Sequence, residues 1–356
     1  MQSQIEADLA PFRQQGITLE VLERSHAFYR RLLPETLFFR FRIVDHEILV
    51  PRGQPCKGER CRIWLQALQR LSRRFRLPDL DFLICLDDSF DALECPGPVF
   101  AMAKDAKQGQ TILIPDIEAL QVGERERLTY QIVEANKRYS WETKREIAFW
   151  RGAPTGGMFT CNTWLHYPRS RLVLLSQGHP EEIDARFTVC SAQVLGEARR
   201  LLSRALPLAT PVSPADHLRY KYLIDMDGNT CTYARCYWIL LSNSVMFKQV
   251  SDQMQWYYGA LKPWKHYIPF TNDLLEKIAW ARAHDDECRR ISDAATKLVL
   301  TALQADQNDQ YLFQLLSAYS VLQRFVPRRE PAFVPAVPPS KILVGLKRAA
   351  KKLVGR

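Results

Sequence analysis

The feature that most restricts the fold of this chain is an alternation of short extended runs with helical ones, sustained from residue 18 to residue 250. Helix-period patterns at 18–33, 64–75 and 124–138 interleave with extended apolar runs at 38–50, 81–87, 99–104, 111–115, 146–151, 220–227 and 244–250. Strands separated by helices join through crossover connections, which predicts parallel sheets covered by helices. At 356 residues the chain exceeds one ordinary core. Two α/β lobes are therefore expected, with a cleft between them and ligands at the carboxyl ends of strands. The charged stretch 124–138 reads as a connector, which gives a first lobe at 1–130 and a second at 131–326, helical from 273 onward.

Past the second lobe, five prolines between Pro327 and Pro339 predict an extended linker over 327–340. The final segment, 341–356, is different in kind. Ile342, Leu343, Leu346, Ala350, Leu353 and Val354 share one helical face, while Lys341, Lys347, Arg348, Lys351, Lys352 and Arg356 occupy mostly the other, with no acid. Those six cations supply much of the net charge of +10. An amphipathic basic helix lying on an anionic membrane surface is expected, and nucleic acid is not, because no aromatic side chain is present there to stack on bases.

Hydrophobic residues at 47% and charged residues at 25% are proportions of a soluble globular enzyme. The opening residues lack the basic flank and apolar run of a secretory signal, so a cytoplasmic location is expected. No run approaches the roughly 20 apolar residues that span a bilayer; the longest, such as 172–175, are strand-sized. Nine cysteines, an odd number, are expected to be reduced thiols, with Cys56 and Cys61 structural rather than part of a zinc site.

Four places could carry chemistry. The apolar run 83–88 ends in Asp87 and Asp88, and a carboxylate at a strand end can take a proton from an attacking hydroxyl; capping of the following turn is the plainer reading. The run 149–157 passes from a strand through Arg151, Gly152, Ala153 and Thr155, whose exposed amides and guanidinium suit a diphosphate. It matches neither the P-loop nor the dinucleotide fingerprint, so an ordinary turn is the default. The run 220–229 ends in Asp225 and Asp227, a minimal metal pair that Gly228 and Asn229 also suit to a turn. Arg235 beyond it could neutralise a leaving diphosphate or sit in a salt bridge. Finally, His266, Asp273 and the 284–286 stretch lack the paired histidines of a metal hydrolase and read as structural.

Taken together, these residues resemble glycosyltransferase family 90, which groups lipopolysaccharide-modifying, capsule-associated and protein O-glucosyltransferases. The likeness runs through Asp8-Leu-Ala-Pro-Phe-Arg13, Leu77-Pro-Asp-Leu-Asp-Phe-Leu-Ile84, the Trp-Arg-Gly-x-x-Thr run at 150–155, Tyr220-Lys-Tyr-Leu-Ile-Asp225, Leu241-Ser-Asn-Ser-Val245 and Pro263-Trp-x-His-Tyr-Ile-Pro269. It looks most like a bacterial lipopolysaccharide core glycosyltransferase.

The resemblance implies a GT-B fold of two Rossmann-like lobes, acceptor on the first and nucleotide-sugar on the second. It also implies inverting transfer of a hexose, glucose or galactose, from a UDP-sugar, with no metal or other cofactor. Asp88 falls on the family's catalytic base, although Asp87 replaces the usual preceding arginine and Ser89-Phe90 the usual aromatic-proline pair. Donor contacts carry over to Arg151, Gly152, Ala153 (a serine in the family), Thr155, Arg169, Thr230, Cys231, Thr232, Tyr233 and Arg235, with Asn243, Ser244 and Lys248 as further donor-side candidates. The basic tail points to a lipid-linked or lipopolysaccharide core acceptor on the inner face of the cytoplasmic membrane; a protein acceptor, or a non-catalytic membrane or nucleic-acid binder, is the alternative.

Overall fold

The computed structural model describes residues 1–54, 56, 58–88, 97–189, 191–206 and 208–336. These form two compact units: a central one of 103–107 and 122–308 with Met1, and an N-terminal one of 2–102, 108–121 and the chain from 309 onward. The basic segment 341–356 and residues Ser89 and Phe90 lie outside the described residues. None of the described helices is long and apolar enough to cross a membrane.

The central unit is built on a five-stranded sheet in the order Ile268–Phe270, Val245–Gln249, Tyr220–Asp225, Arg145–Gly152 and Ile183–Phe187. Every pairing is parallel. Parallel strands are covered on both faces and read as unbroken apolar runs, and Tyr220–Asp225 is buried at all its positions. Trp150, Phe159, Phe187, Tyr222 and Phe247 fill the core beside the sheet. The run 172–175, expected as a strand, is helical instead. Pro168 opens the helix Pro168–Gly178, and Leu172 and Val173 face the core. A short apolar run fits a buried helix as well as a strand, and a proline at the first helical position settles the matter.

The N-terminal unit departs from the expected parallel pattern. Its six-stranded sheet runs Phe333–Pro335, Glu47–Pro51, Phe38–Val44, Leu80–Cys85, Val99–Ala101, Thr111–Leu113; the first three pairings are antiparallel and the last two parallel. The single extended run expected at 38–50 is a hairpin, folded at Asp45 and His46, whose φ angles of 49° and 65° are those of a tight two-residue turn. Part of the expected linker is likewise a strand. Phe333–Pro335 pairs at the sheet edge, where a proline forfeits no ladder bond.

A buried ion network holds this returning segment. Asp81, with no exposed side-chain surface, receives Arg40 Nε at 2.8 Å and Arg42 Nη2 at 2.7 Å. Arg42 also reaches Glu330 at 3.1 Å and lies 3.8 Å over the ring of Phe333, while Gln323 Nε2 donates to the Asp81 carbonyl at 2.7 Å. One buried carboxylate thus ties the central strands to the chain's return. Asp81→Asn leaves the buried guanidinium groups of Arg40 and Arg42 with only the half-exposed Glu23 and Glu330 as anionic partners and is expected to lower stability by about 3 kcal/mol in urea denaturation; a loss near zero would contradict this.

The cysteine expectation is corrected at one place. Cys56 and Cys61 are disulfide-bonded, their Cα atoms 5.5 Å apart, whereas Cys85, Cys161, Cys231, Cys236 and Cys288 are free. Non-reducing peptide mapping is expected to recover residues 56 and 61 cross-linked; alkylation of both without reductant would refute the bond.

Candidate active site

The carboxyl ends of the central strands emerge at one edge, because the sheet is wholly parallel. The loop after Arg145–Gly152 is compressed against that edge. A Cβ at Gly152 would come within 2.5 Å of the Trp150 ring, and Gly156 and Gly157 take φ angles of +111° and +149°. The Gly156 amide donates to Asn229 Oδ1 at 3.1 Å, and Gln193 Nε2 donates to the same oxygen at 2.8 Å.

Two arginines enter this edge, each as the second residue of a helix: Arg169 in Pro168–Gly178 and Arg235 in Ala234–Leu241. Neither helix carries an acid in its first turn. Both guanidinium groups lie over the Trp150 ring, at 5.5 and 5.9 Å. Arg169 donates to the carbonyls of Asp227 at 3.0 Å, Ala153 at 3.0 Å and Met226 at 3.1 Å, and to Thr155 Oγ1 at 2.6 Å. Arg235 donates to the Arg151 carbonyl. Among the described residues neither pairs with a carboxylate. Burial, then the neighbouring Arg235, push the Arg169 guanidinium down to about 10, and burial lowers Arg235 as well.

Two cations at the positive ends of two helices, held by neutral oxygens, form a place where an anion is stabilised. Tyr233, at φ +48°, is the residue from which the Ala234–Leu241 helix starts; a tyrosine in that region stores strain. Its hydroxyl shares a 2.8 Å hydrogen bond with Thr230 Oγ1, and Cys231 is buried beside it.

The paired aspartates are already engaged. Asp225 receives Lys248 Nζ at 2.8 Å on one oxygen and the Thr232 hydroxyl on the other. Burial opposes the charge on Lys248, but Asp225 outweighs it and raises the lysine. Asp227 accepts from Ser251 Oγ and donates its amide to Gln249 Oε1 at 3.2 Å; burial pushes its carboxyl up. A lysine ammonium and two hydroxyls thus take three of the four carboxylate oxygens, and Asp227 Oδ1 is buried without a partner among the described residues.

The structure brings Gly152, Ala153, Thr155, Arg169, Thr230, Cys231, Thr232, Tyr233, Arg235 and Lys248 to this edge, and leaves three candidates out. Arg151 turns to the neighbouring strand, paired with Asp184 at 2.8 Å. Asn243 and Ser244 precede the strand Val245–Gln249 and so lie at the opposite, amino end of the sheet. Asn243 Nδ2 holds the Tyr139 carbonyl at 2.9 Å, and Ser244 Oγ the Tyr220 carbonyl at 2.8 Å. Sequence reading missed Gln193, Gln249 and Ser251; Asn229 stood in a motif read only as a turn.

Asp88 belongs to the N-terminal unit, past the strand Leu80–Cys85, and its carboxylate is about half exposed. Arg60 Nη2 lies 3.6 Å from its Oδ1.

The sequence matches the profile of Glycosyl transferase family 90 over residues 1–354. It is similar to protein O-glucosyltransferase 2 of Danio rerio, 30% identical over 92% of this chain and 63% of that protein. Protein O-glucosyltransferase 3 of Mus musculus is 30% identical over 74% of this chain and 51% of its own. Protein O-glucosyltransferase 1 of Homo sapiens is 25% identical over 94% and 83%. The chain thus spans less than two thirds of the first two relatives. These relatives are vertebrate, where a bacterial lipopolysaccharide enzyme was the expected likeness.

A Cβ at Gly228 would lie 2.6 Å from Thr155 Oγ1 and 2.8 Å from Arg169 Nη2. Gly228→Ala is therefore expected to displace Arg169 and weaken binding of inorganic diphosphate about tenfold in calorimetry, a loss of roughly 1.4 kcal/mol; unchanged affinity would show that Arg169 does not meet the anion.

Proposed function

Because the chain belongs to glycosyl transferase family 90, and so is a glycosyltransferase, we propose that it moves a hexose from a UDP-sugar to an acceptor hydroxyl, with inversion and without a metal. The observation that carries this reading is the pair of partly buried guanidinium groups, Arg169 and Arg235, with carbonyls and a hydroxyl for partners. When the bond between the anomeric carbon and the diphosphate breaks, negative charge grows on the departing oxygen. Fixed cations and helix-terminal amides stabilise that charge more than they stabilise the bound donor, which is what lowers the barrier. With Asp225 and Asp227 already committed to Lys248, Thr232 and Ser251, the arginines take the charge-neutralising role a metal would otherwise fill.

Asp88 is the proposed base. It removes the proton from the acceptor hydroxyl as that oxygen attacks the anomeric carbon from the face opposite the diphosphate, so one displacement inverts the configuration.

For the acceptor, the relatives' names support a glucosyl group and a protein hydroxyl. The Cys56–Cys61 bond favours that reading too, since disulfides persist in oxidising compartments. A second reading, a lipid-linked glycan or lipopolysaccharide core met at the inner face of the cytoplasmic membrane, is favoured by the six cations of 341–356.

Purified protein is expected to release UDP from UDP-glucose or UDP-galactose in the presence of EDTA, faster with one acceptor class of a panel holding folded proteins and deacylated core oligosaccharide. Asp88→Asn should reduce the rate by about 10²–10⁴-fold while UDP still binds. Activity that EDTA abolishes, or an Asp88→Asn rate near the unaltered protein's, would overturn the corresponding assignment.

A further inference from the structure

Arg60 is a third arginine placed as the second residue of a helix, Glu59–Arg74, after Gly58, which has a φ of +94° and supplies no side-chain cap. Unlike the other two helices, this one carries an acid in its first turn, Glu59, but that side chain is exposed and pairs with Arg62 at 3.4 Å, so against the helix's own field Arg60 is held by partners beyond the helix. At Arg169 and Arg235 the compensation is incomplete. At Arg60 it is on hand: Nη1 donates to the carbonyl of Leu86, just past the strand Leu80–Cys85, and Nη2 stands 3.6 Å from Asp88 Oδ1.

Both ends of this link are anchored. Cys61, next to Arg60, is wholly buried and bonded to Cys56, which prevents the first turn from unwinding. Leu86, also wholly buried, donates its amide to the Leu37 carbonyl at 2.7 Å, which fixes the backbone whose carbonyl Arg60 holds. A planar guanidinium with one arm on a fixed carbonyl restricts where the carboxylate beside its other arm can rest. In this chain Asp87 occupies the position before Asp88, so the cation beside the carboxylate is delivered from the helix rather than from the neighbouring residue.

We propose that Arg60 is a positioning residue that orients the Asp88 carboxylate for proton removal. The inference rests on the reading of Asp88 as the base. Arg60 acts through Asp88 and does not itself contact the donor, so it sets the rate of transfer and leaves donor affinity alone. Small errors in the direction of a base are costly, on the order of 10²-fold for misplacement by about 1 Å.

The test is hydrolysis of UDP-glucose with water as the acceptor, measured for Arg60→Gln, Arg60→Lys and Asp88→Asn in the full chain, with a thermal melt of each. Glutamine can still donate to the Leu86 carbonyl but carries no charge; lysine keeps the charge. Arg60→Gln is expected to lower kcat about 10- to 100-fold with an unchanged KM for UDP-glucose and an unchanged melt, and Arg60→Lys, which keeps the charge but not the planar fork, to recover part of the loss. An inactive Asp88→Asn beside an Arg60→Gln of unaltered kcat would overturn the proposal while leaving the base in place. Equal loss in both Arg60 variants, matched by a lower melting temperature, would reduce Arg60 to a structural tie and overturn it as well. An active Asp88→Asn would remove the base reading itself.

Discussion

Two guanidinium groups, Arg169 and Arg235, lie partly buried against one tryptophan ring, and among the described residues neither is ion-paired with a carboxylate. Cations removed from water are normally paired, because desolvation costs several kcal/mol for each ion. Here four neutral oxygens hold Arg169 and one carbonyl holds Arg235, and burial lowers both pKa values. The tight glycines of the 152–157 loop, the strained Tyr233 and the placement of each arginine in a helix's first turn all serve the same edge of the sheet.

The carboxylates nearby offset that field only in part. Lys248 and Thr232 hold Asp225, and Ser251 holds Asp227, so the negative charge of Asp225 is balanced inside the site. The arginines are left with carbonyl dipoles, which orient them without neutralising them. The N-terminal unit uses ion pairing in the opposite way: Asp81, with Glu23 and Glu330, neutralises Arg40 and Arg42, and the result is a structural clasp on the returning chain rather than a binding place.

Much of the central unit could be read from the sequence, because parallel strands buried on both faces leave continuous apolar runs such as 220–225 and 245–249. The reading failed where the signal was short or local. The run 172–175 was too brief to tell strand from helix, and the hairpin at Asp45 and His46 was hidden because neither turn residue is a glycine. Arg169, Arg235 and Lys248, chosen from separate motifs, come together at one edge of the sheet. Arg151 is paired with Asp184 on a strand not foreseen. Asn243 and Ser244 were placed by motif alone, and a motif does not say which end of a strand it occupies. The ion pair of Lys248 with Asp225 joins residues on adjacent strands, a relation that only the register supplies.

The account stands most directly on calorimetric binding of UDP, UMP and uridine to the unaltered protein and to Arg169→Ala and Arg235→Ala. If the two guanidinium groups hold a diphosphate, each at about 1.5–3 kcal/mol for a charged hydrogen bond, UDP binds on the order of 100-fold tighter than uridine and each variant loses most of that margin. Equal affinity for UDP and uridine, or a margin that survives both substitutions, would contradict it.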